Sequence, residues 1–206
     1  MPIPIIREPA DLDRLTLRDD TRWFRYMKLG YDHLRGRMDG TFLLAVRGTM
    51  MPMDLANAIR GDEFFIDVLS RPEFTHRLMR FLVGAIRWYY SRLLAWAGEV
   101  AGGHVFLFGN CWVPDPCLGH VSNDAAMLCS PAVYRQFGLP YERQLASGFG
   151  RVLYHVHNEK MHFVGDVCSL PGLAMLQVSR DPRTIPPIED AARVLRLTGK
   201  APLNLS

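Results

Sequence analysis

The sequence is short of the features that assign a protein to a class directly. Its four cysteines, Cys111, Cys117, Cys129 and Cys168, form no CxxC pair. Neither a zinc ribbon nor a redox dithiol is encoded, and reduced thiols in a cytoplasmic setting are the expectation. The most hydrophobic stretch, Leu78 to Ala97, carries Arg80, Arg87 and Arg92, and guanidinium groups inside a bilayer core exclude a membrane span there. The N-terminal MPIPIIREPADLDRL contains no basic region followed by an apolar one, so no signal peptide is read. Charge of neither sign dominates: 24 Lys and Arg stand against 21 acids for a net +3, with the basic residues scattered. A nucleic-acid partner is not expected from that pattern. GxGxxG, GxxxxGKS, HExxH and GxSxG are all absent, which removes the working parts of dinucleotide binding, phosphate-loop hydrolysis, zincin proteolysis and the nucleophile elbow. No internal repeat or low-complexity segment is visible.

What is present is a chain of 206 residues, 49% hydrophobic, enough to bury a core and read as a single domain over 1–206. Strand-like and helix-like stretches alternate. Thr41 to Arg47 (TFLLAVR) reads as a strand, followed by a helix over MDLANAIRG, and Ser70-Arg71-Pro72-Glu73 opens a helix expected to run to about Ala97. His104 to Phe108 is the next strand and gives way to a long polar loop, GNCWVPDPCLGHVSNDAAML. Ser130-Pro131 starts a helix that Pro140 kinks or divides. Strands follow at Arg151 to His155 and Leu173 to Val178, then a helix over Pro186 to Leu197 and a last strand at Pro202 to Leu205. Strands without internal alternation, each followed by a helix, predict an α/β fold with a parallel sheet covered on both faces. Five such strands make part of a (β/α)8 TIM barrel rather than a whole one. The last strand arrives with no helix behind it, so self-association or a complementing chain is expected.

Four ordered segments resemble the uroporphyrinogen decarboxylase superfamily, which also holds the corrinoid-linked methyltransferases. They are DLANAIRG with FFIDVLSRPEFTHRLM, the strand HVFLFGNCW, the segment SNDAAMLCSPAVYRQFGLPYERQL, and RVLYHVHN with the later SRDP. The third is similar to the family's S-x-D … SP-x-x-Y-x-x-F-x-x-P signature. Together they cover residues from about 40 to 206. The resemblance implies a TIM-type barrel with a tetrapyrrole or corrinoid as ligand, or a corrinoid protein as partner. The family decarboxylases carry an N-terminal arginine-rich loop and an early catalytic aspartate, with no counterpart ahead of Thr41, and their late strands have none after Ser206. The chain leans toward metal-assisted methyl transfer, with tetrapyrrole decarboxylation and a non-catalytic barrel module as alternatives.

His155 and His157 carry that lean. Two residues apart at the C-terminal end of a strand, they point to one face, the side where barrels place their sites. The methyltransferase branch has His-x-Cys at the matching position, holding zinc, and imidazole is an equally good zinc ligand. A structural pair, one ring packed and one hydrogen-bonded, is the competing reading. The third ligand is open among Cys111, Cys117, His120, His162 and Cys168, and Cys111 is preferred because its loop follows a strand end. Asp124 either caps the turn before the next helix or acts beside His155 as a catalytic or orienting carboxylate. Asn110 and Trp112 in the 110–124 loop and Met50 after the first strand are the expected contacts to a large planar ligand. The loop is expected to lie over the site. The arginines at 77, 80, 87 and 92 read as an ordinary solvated helix face.

Overall fold

Proline starts and glycine stops set the helices of the first half. The computed structural model, describing residues 3–107 and 111–206, places α1 at Arg22–Arg35, β1 at Ala45–Val46, β2 at Thr49–Met50, α2 at Pro52–Arg60, α3 at Glu63–Ser70 and α4 at Pro72–Ala97. Pro52 and Pro72 sit in first turns, where a missing N–H costs nothing. Gly61 and Gly98 end α2 and α4 with φ of 73° and 79°, a region an L side chain resists. The chain continues as β3 (Gly103–Phe106), β4 (Cys111–Pro114), β5 (Cys117–Ser122), α5 (Pro131–Val133), α6 (Leu139–Ala146), β6 (Arg151–His157), α7 (Val164–Val167), β7 (Leu173–Ser179), α8 (Ala191–Thr198) and β8 (Leu203–Leu205). Between α5 and α6 a π turn spans Tyr134–Gly138. It absorbs Pro140, which cannot donate to the helix before it; this is the division expected at that proline.

The fold is α/β. One sheet is five-stranded and all-parallel in the order β2-β5-β6-β7-β8, and a second joins β1, β3 and β4. Each strand of the larger sheet lies beside its predecessor, as in the wall of a (β/α)8 barrel. Helices α2, α4 and α6 pack on it. Leu78, Met79, Leu82, Ile86, Tyr90 and Leu93 of α4, at helical spacing, are almost wholly buried in a core continuous with Leu118, Val121, Val152 and Leu176 of the sheet. Among the described residues no helix is long and apolar enough to cross a membrane.

The 110–124 stretch corrects the sequence reading. Most of it is strand: β4 folds back antiparallel on β3, and β5 is a central strand of the parallel sheet. It therefore does not form a cover over the site. Cys117 starts β5 level with Arg151, at the N-terminal end of β6, and only Ser122 to Asp124 reach the C-terminal mouth. β5 is irregular between Leu118 and Val121, where the register shifts. The buried Tyr90 hydroxyl fills the gap, accepting the Gly119 N–H at 2.8 Å and donating to the Gly119 carbonyl. A β-carbon on Gly119 would stand 2.9 Å from the Leu153 side chain, so only glycine fits. Tyr90→Phe should leave both backbone groups unpaired and cost about 2 kcal/mol, read as a lower urea midpoint. An unchanged midpoint would mean that water replaces the hydroxyl.

Candidate functional site

Strand register builds the site. One straight rung crosses the sheet near its C-terminal edge, Met50–Ser122–His155–Gln177–Asn204, and residues paired across neighbouring strands share a face. His157 is one pleat further on, opposite Ser179. The turn after β5 brings Asp124, and the segment after β7 brings Asp181. The side chains of His155, His157, Asp124 and Met50, all expected at the site, thus meet at one mouth.

Two cavities open there. The larger, about 580 Å3, is lined by Met50, Asp54, Asp124, His157, Lys160 and Asp181 among others. The smaller, about 240 Å3, is lined by Arg47, Thr49, His120 and His155 and shares the Met50, Ser122 and Asp124 walls. His155 lies between its neighbours: its ring is 4.9 Å from that of His120 and 4.8 Å from that of His157. The Gln177 amide oxygen accepts from His155 Nδ1 at 3.1 Å and from His120 Nε2 at 2.8 Å, while its nitrogen reaches Ser206 Oγ at 3.3 Å. An amide oxygen only accepts, so the His155 proton sits on Nδ1 and its Nε2 carries a lone pair. That Nε2 is 3.2 Å from His157 Nε2. Behind His157, Asp181 Oδ1 stands 2.9 Å from Nδ1, within ion-pair distance though off the line of a hydrogen bond. Asp124 Oδ1 is 3.9 Å from His157 Nε2, on a side chain 58% exposed.

Burial sets the charges. It pushes His120 down to about 4, against the Gln177 hydrogen bond, and it lowers His155, with His157 adding to the effect. Both rings are neutral at pH 7, the state that ligates metal. Asp54, on the first turn of α2, is pushed up to about 6 by burial, with the nearby Asp124 charge adding to it and hydrogen bonds from the Ala125 and Asp124 backbone and from Ser122 opposing.

The pair fits a metal. Zinc held at about 2.0–2.1 Å by two imidazoles in tetrahedral geometry separates the nitrogens by about 3.3 Å, and the Nε2 atoms are 3.2 Å apart. The His155 ring also donates its other N–H to an oxygen, as metal-bound histidines do, while His157 has Asp181 at ion-pair distance from its other nitrogen. Among the described residues no three His, Cys, Asp or Glu side chains already form a metal-holding group; Asp124, 3.9 Å from His157 Nε2, is a further donor on that side.

The structure does not bring Cys111 or Trp112 to this mouth. Both lie on β4, opposite Phe106 and Val105, in the smaller sheet. Trp112 Nε1 donates to the Val100 carbonyl at 2.7 Å. The Cys111 thiol is pushed up by burial and neighbours Cys117, itself pushed up to about 12 by burial. Asn110 lies outside the described residues. His162 bonds the Cys129 carbonyl instead, and Cys129 and Cys168 pack against the core. Sequence reasoning missed Asp54, Gln177 and Asp181 as members of the site, and passed over His120 for Cys111. Asp181 lies in the SRDP segment and was open to discovery; Gln177 is visible only once the register with His155 is known. No family model matches the chain, and no curated protein matches it.

Proposed function

We propose that this chain is a uroporphyrinogen decarboxylase-type barrel protein that binds zinc through His155 and His157 and serves metal-assisted, corrinoid-linked methyl transfer. The observation that carries the reading is the 3.2 Å convergence of two ring nitrogens at the mouth of a parallel sheet, each ring with an oxygen at its other nitrogen. Zinc held by His155 and His157 would supply a Lewis acid that lowers the pKa of a thiol or similar acceptor. The chain's own residues do the rest. Gln177 fixes the His155 tautomer, Asp181 steadies His157, and Asp124 faces the same point from the turn after β5.

Cavity charge favours this branch over decarboxylation. Asp54, Asp124, Glu159 and Asp181 outnumber Lys160 and His157 around the larger cavity, so a polycarboxylated tetrapyrrole would meet mostly its own charge. The reading extends to a corrinoid, free or on a protein, as partner and to completion of the barrel wall by a second copy or another chain beside the edge strand β8. Metal analysis tests the core of it. Protein purified from zinc-supplemented medium should hold about one zinc per chain, and cobalt(II) in its place should give the intense visible bands of tetrahedral coordination. Absence of metal at micromolar free zinc would end the proposal.

A further inference from the structure

We infer that Asp54 and Glu142 are positioning residues that clamp the turn 122–126 from two helices and so hold the Asp124 carboxylate at His157. Asp54 reaches in from α2: its Oδ1 accepts the Ala125 N–H at 2.6 Å and its Oδ2 the Ser122 hydroxyl at 3.3 Å. Glu142 reaches in from α6. Its Oε1 accepts from Asn123 Nδ2 at 2.5 Å, and the other end of that amide, Oδ1, accepts the Ala126 N–H at 3.1 Å. The turn is therefore tied at Ser122, Asn123, Ala125 and Ala126, the Asp124 backbone is held by Asp54 as well, and the Asp124 side chain is left facing His157.

A carboxylate is expensive to bury, and Glu142 is fully buried with no ion pair to offset it among the described residues. What holds it is the set of donors it gathers: Asn123, the Tyr134 hydroxyl at 2.7 Å, and the Tyr154 hydroxyl at 3.0 and 3.1 Å from its two oxygens. Asn123 directly precedes Asp124, and Tyr154 directly precedes His155. One buried side chain thus fixes both elements that carry the site to a common helix. Asp54 supplies the second grip, from the helix that follows β2.

The inference rests on the zinc reading for its consequence but not for its geometry, and the test separates the two. Zinc affinity, by competition with a chromophoric chelator, and amide hydrogen exchange on the metal-free protein are measured for wild type, Asp54→Ala and Asp54→Asn. Asp54→Ala should weaken zinc binding by about ten- to hundredfold, the cost usual for groups that orient a ligand. It should also speed exchange at Ala126, which is bonded to Asn123 and not to Asp54, by about tenfold. Asp54→Asn keeps an acceptor for Ala125 and should restore both to within about threefold. Faster exchange confined to Ala125, or an Asn variant as impaired as the Ala variant, would overturn the clamp. Wild-type protein that binds no zinc would instead overturn the proposed function, leaving the clamp to be decided by exchange at Ala126. Glu142→Gln, which keeps an acceptor for Asn123, should resemble Asp54→Asn.

Discussion

His155→Ala is expected to weaken zinc binding by two to three orders of magnitude while lowering the unfolding midpoint only slightly. Structural zinc sites are worth about 10–16 kcal/mol over four ligands, so one ligand carries about 3 kcal/mol. Against that, the half-buried ring at the sheet mouth gives up two hydrogen bonds, to Gln177 and to His157, worth about 1 kcal/mol each at most. A ring that merely packs makes the opposite forecast: a midpoint lower by several degrees and zinc binding intact. Calorimetric unfolding and chelator competition on the same protein decide between them. His157→Ala is the companion measurement. If both nitrogens ligate, the two variants lose comparable affinity, and the double variant loses little more once the site is gone. If His157 only buttresses its neighbour, its loss falls well short of that for His155.

The sheet mouth is legible in the sequence because its signal is local. RVLYHVH alternates two imidazoles on one face of a strand, and the parallel βα pattern says which end of that strand faces a site. The strand at Leu173 and the last one at Leu203 are legible for the same reason, as short apolar runs bounded by glycine or proline. β5 is not. CLGHVS has one β-branched residue, a glycine and a histidine, and two prolines just ahead of it. What makes it a central strand is tertiary: Tyr90, 29 residues upstream on α4, satisfies the backbone at Gly119 where the ladder breaks. The forecast of five parallel strands thus holds with two members exchanged, since the TFLLAVR and HVF runs, read as barrel strands, supply β1 and β3 of the smaller sheet while β2 and β5 take their places. The same exchange explains the site. With β5 taken as loop, Cys111 and Trp112 fall beside the histidines on paper. With β5 in the sheet, they lie on a different sheet, and the carboxylates that do arrive, Asp54 and Asp181, come from helix and loop positions whose closeness depends on register.

Glu142 supplies the remaining large effect, a loss of stability as the solution becomes more alkaline. Burial raises its carboxyl from 4.5 to about 7, with the Asp54 charge adding to it and hydrogen bonds from Tyr134, Asn123 and Tyr154 opposing. A carboxyl raised on folding binds its proton more tightly in the native state, so its contribution is fully present below 4.5 and is lost as pH rises through about 7. An interval of that width is worth on the order of 3 kcal/mol. Asp54, raised to about 6 by burial, acts in the same direction at lower pH. His120 acts the other way: its ring is lowered to about 4, so its contribution is present above 6.5 and lost as pH falls. The opposed windows overlap between 4.5 and 6.5 and flatten the wild-type profile there, which is why the difference between wild type and Glu142→Gln is the quantity to measure. Glutamine cannot ionise yet can still accept from Asn123. Urea unfolding at half-unit steps from pH 5 to 8 should show the variant gaining on wild type with rising pH and becoming the more stable protein above about 7. Parallel profiles for the two proteins would mean that Glu142 is ionised in the native state throughout, its three donors outweighing the cost of burial.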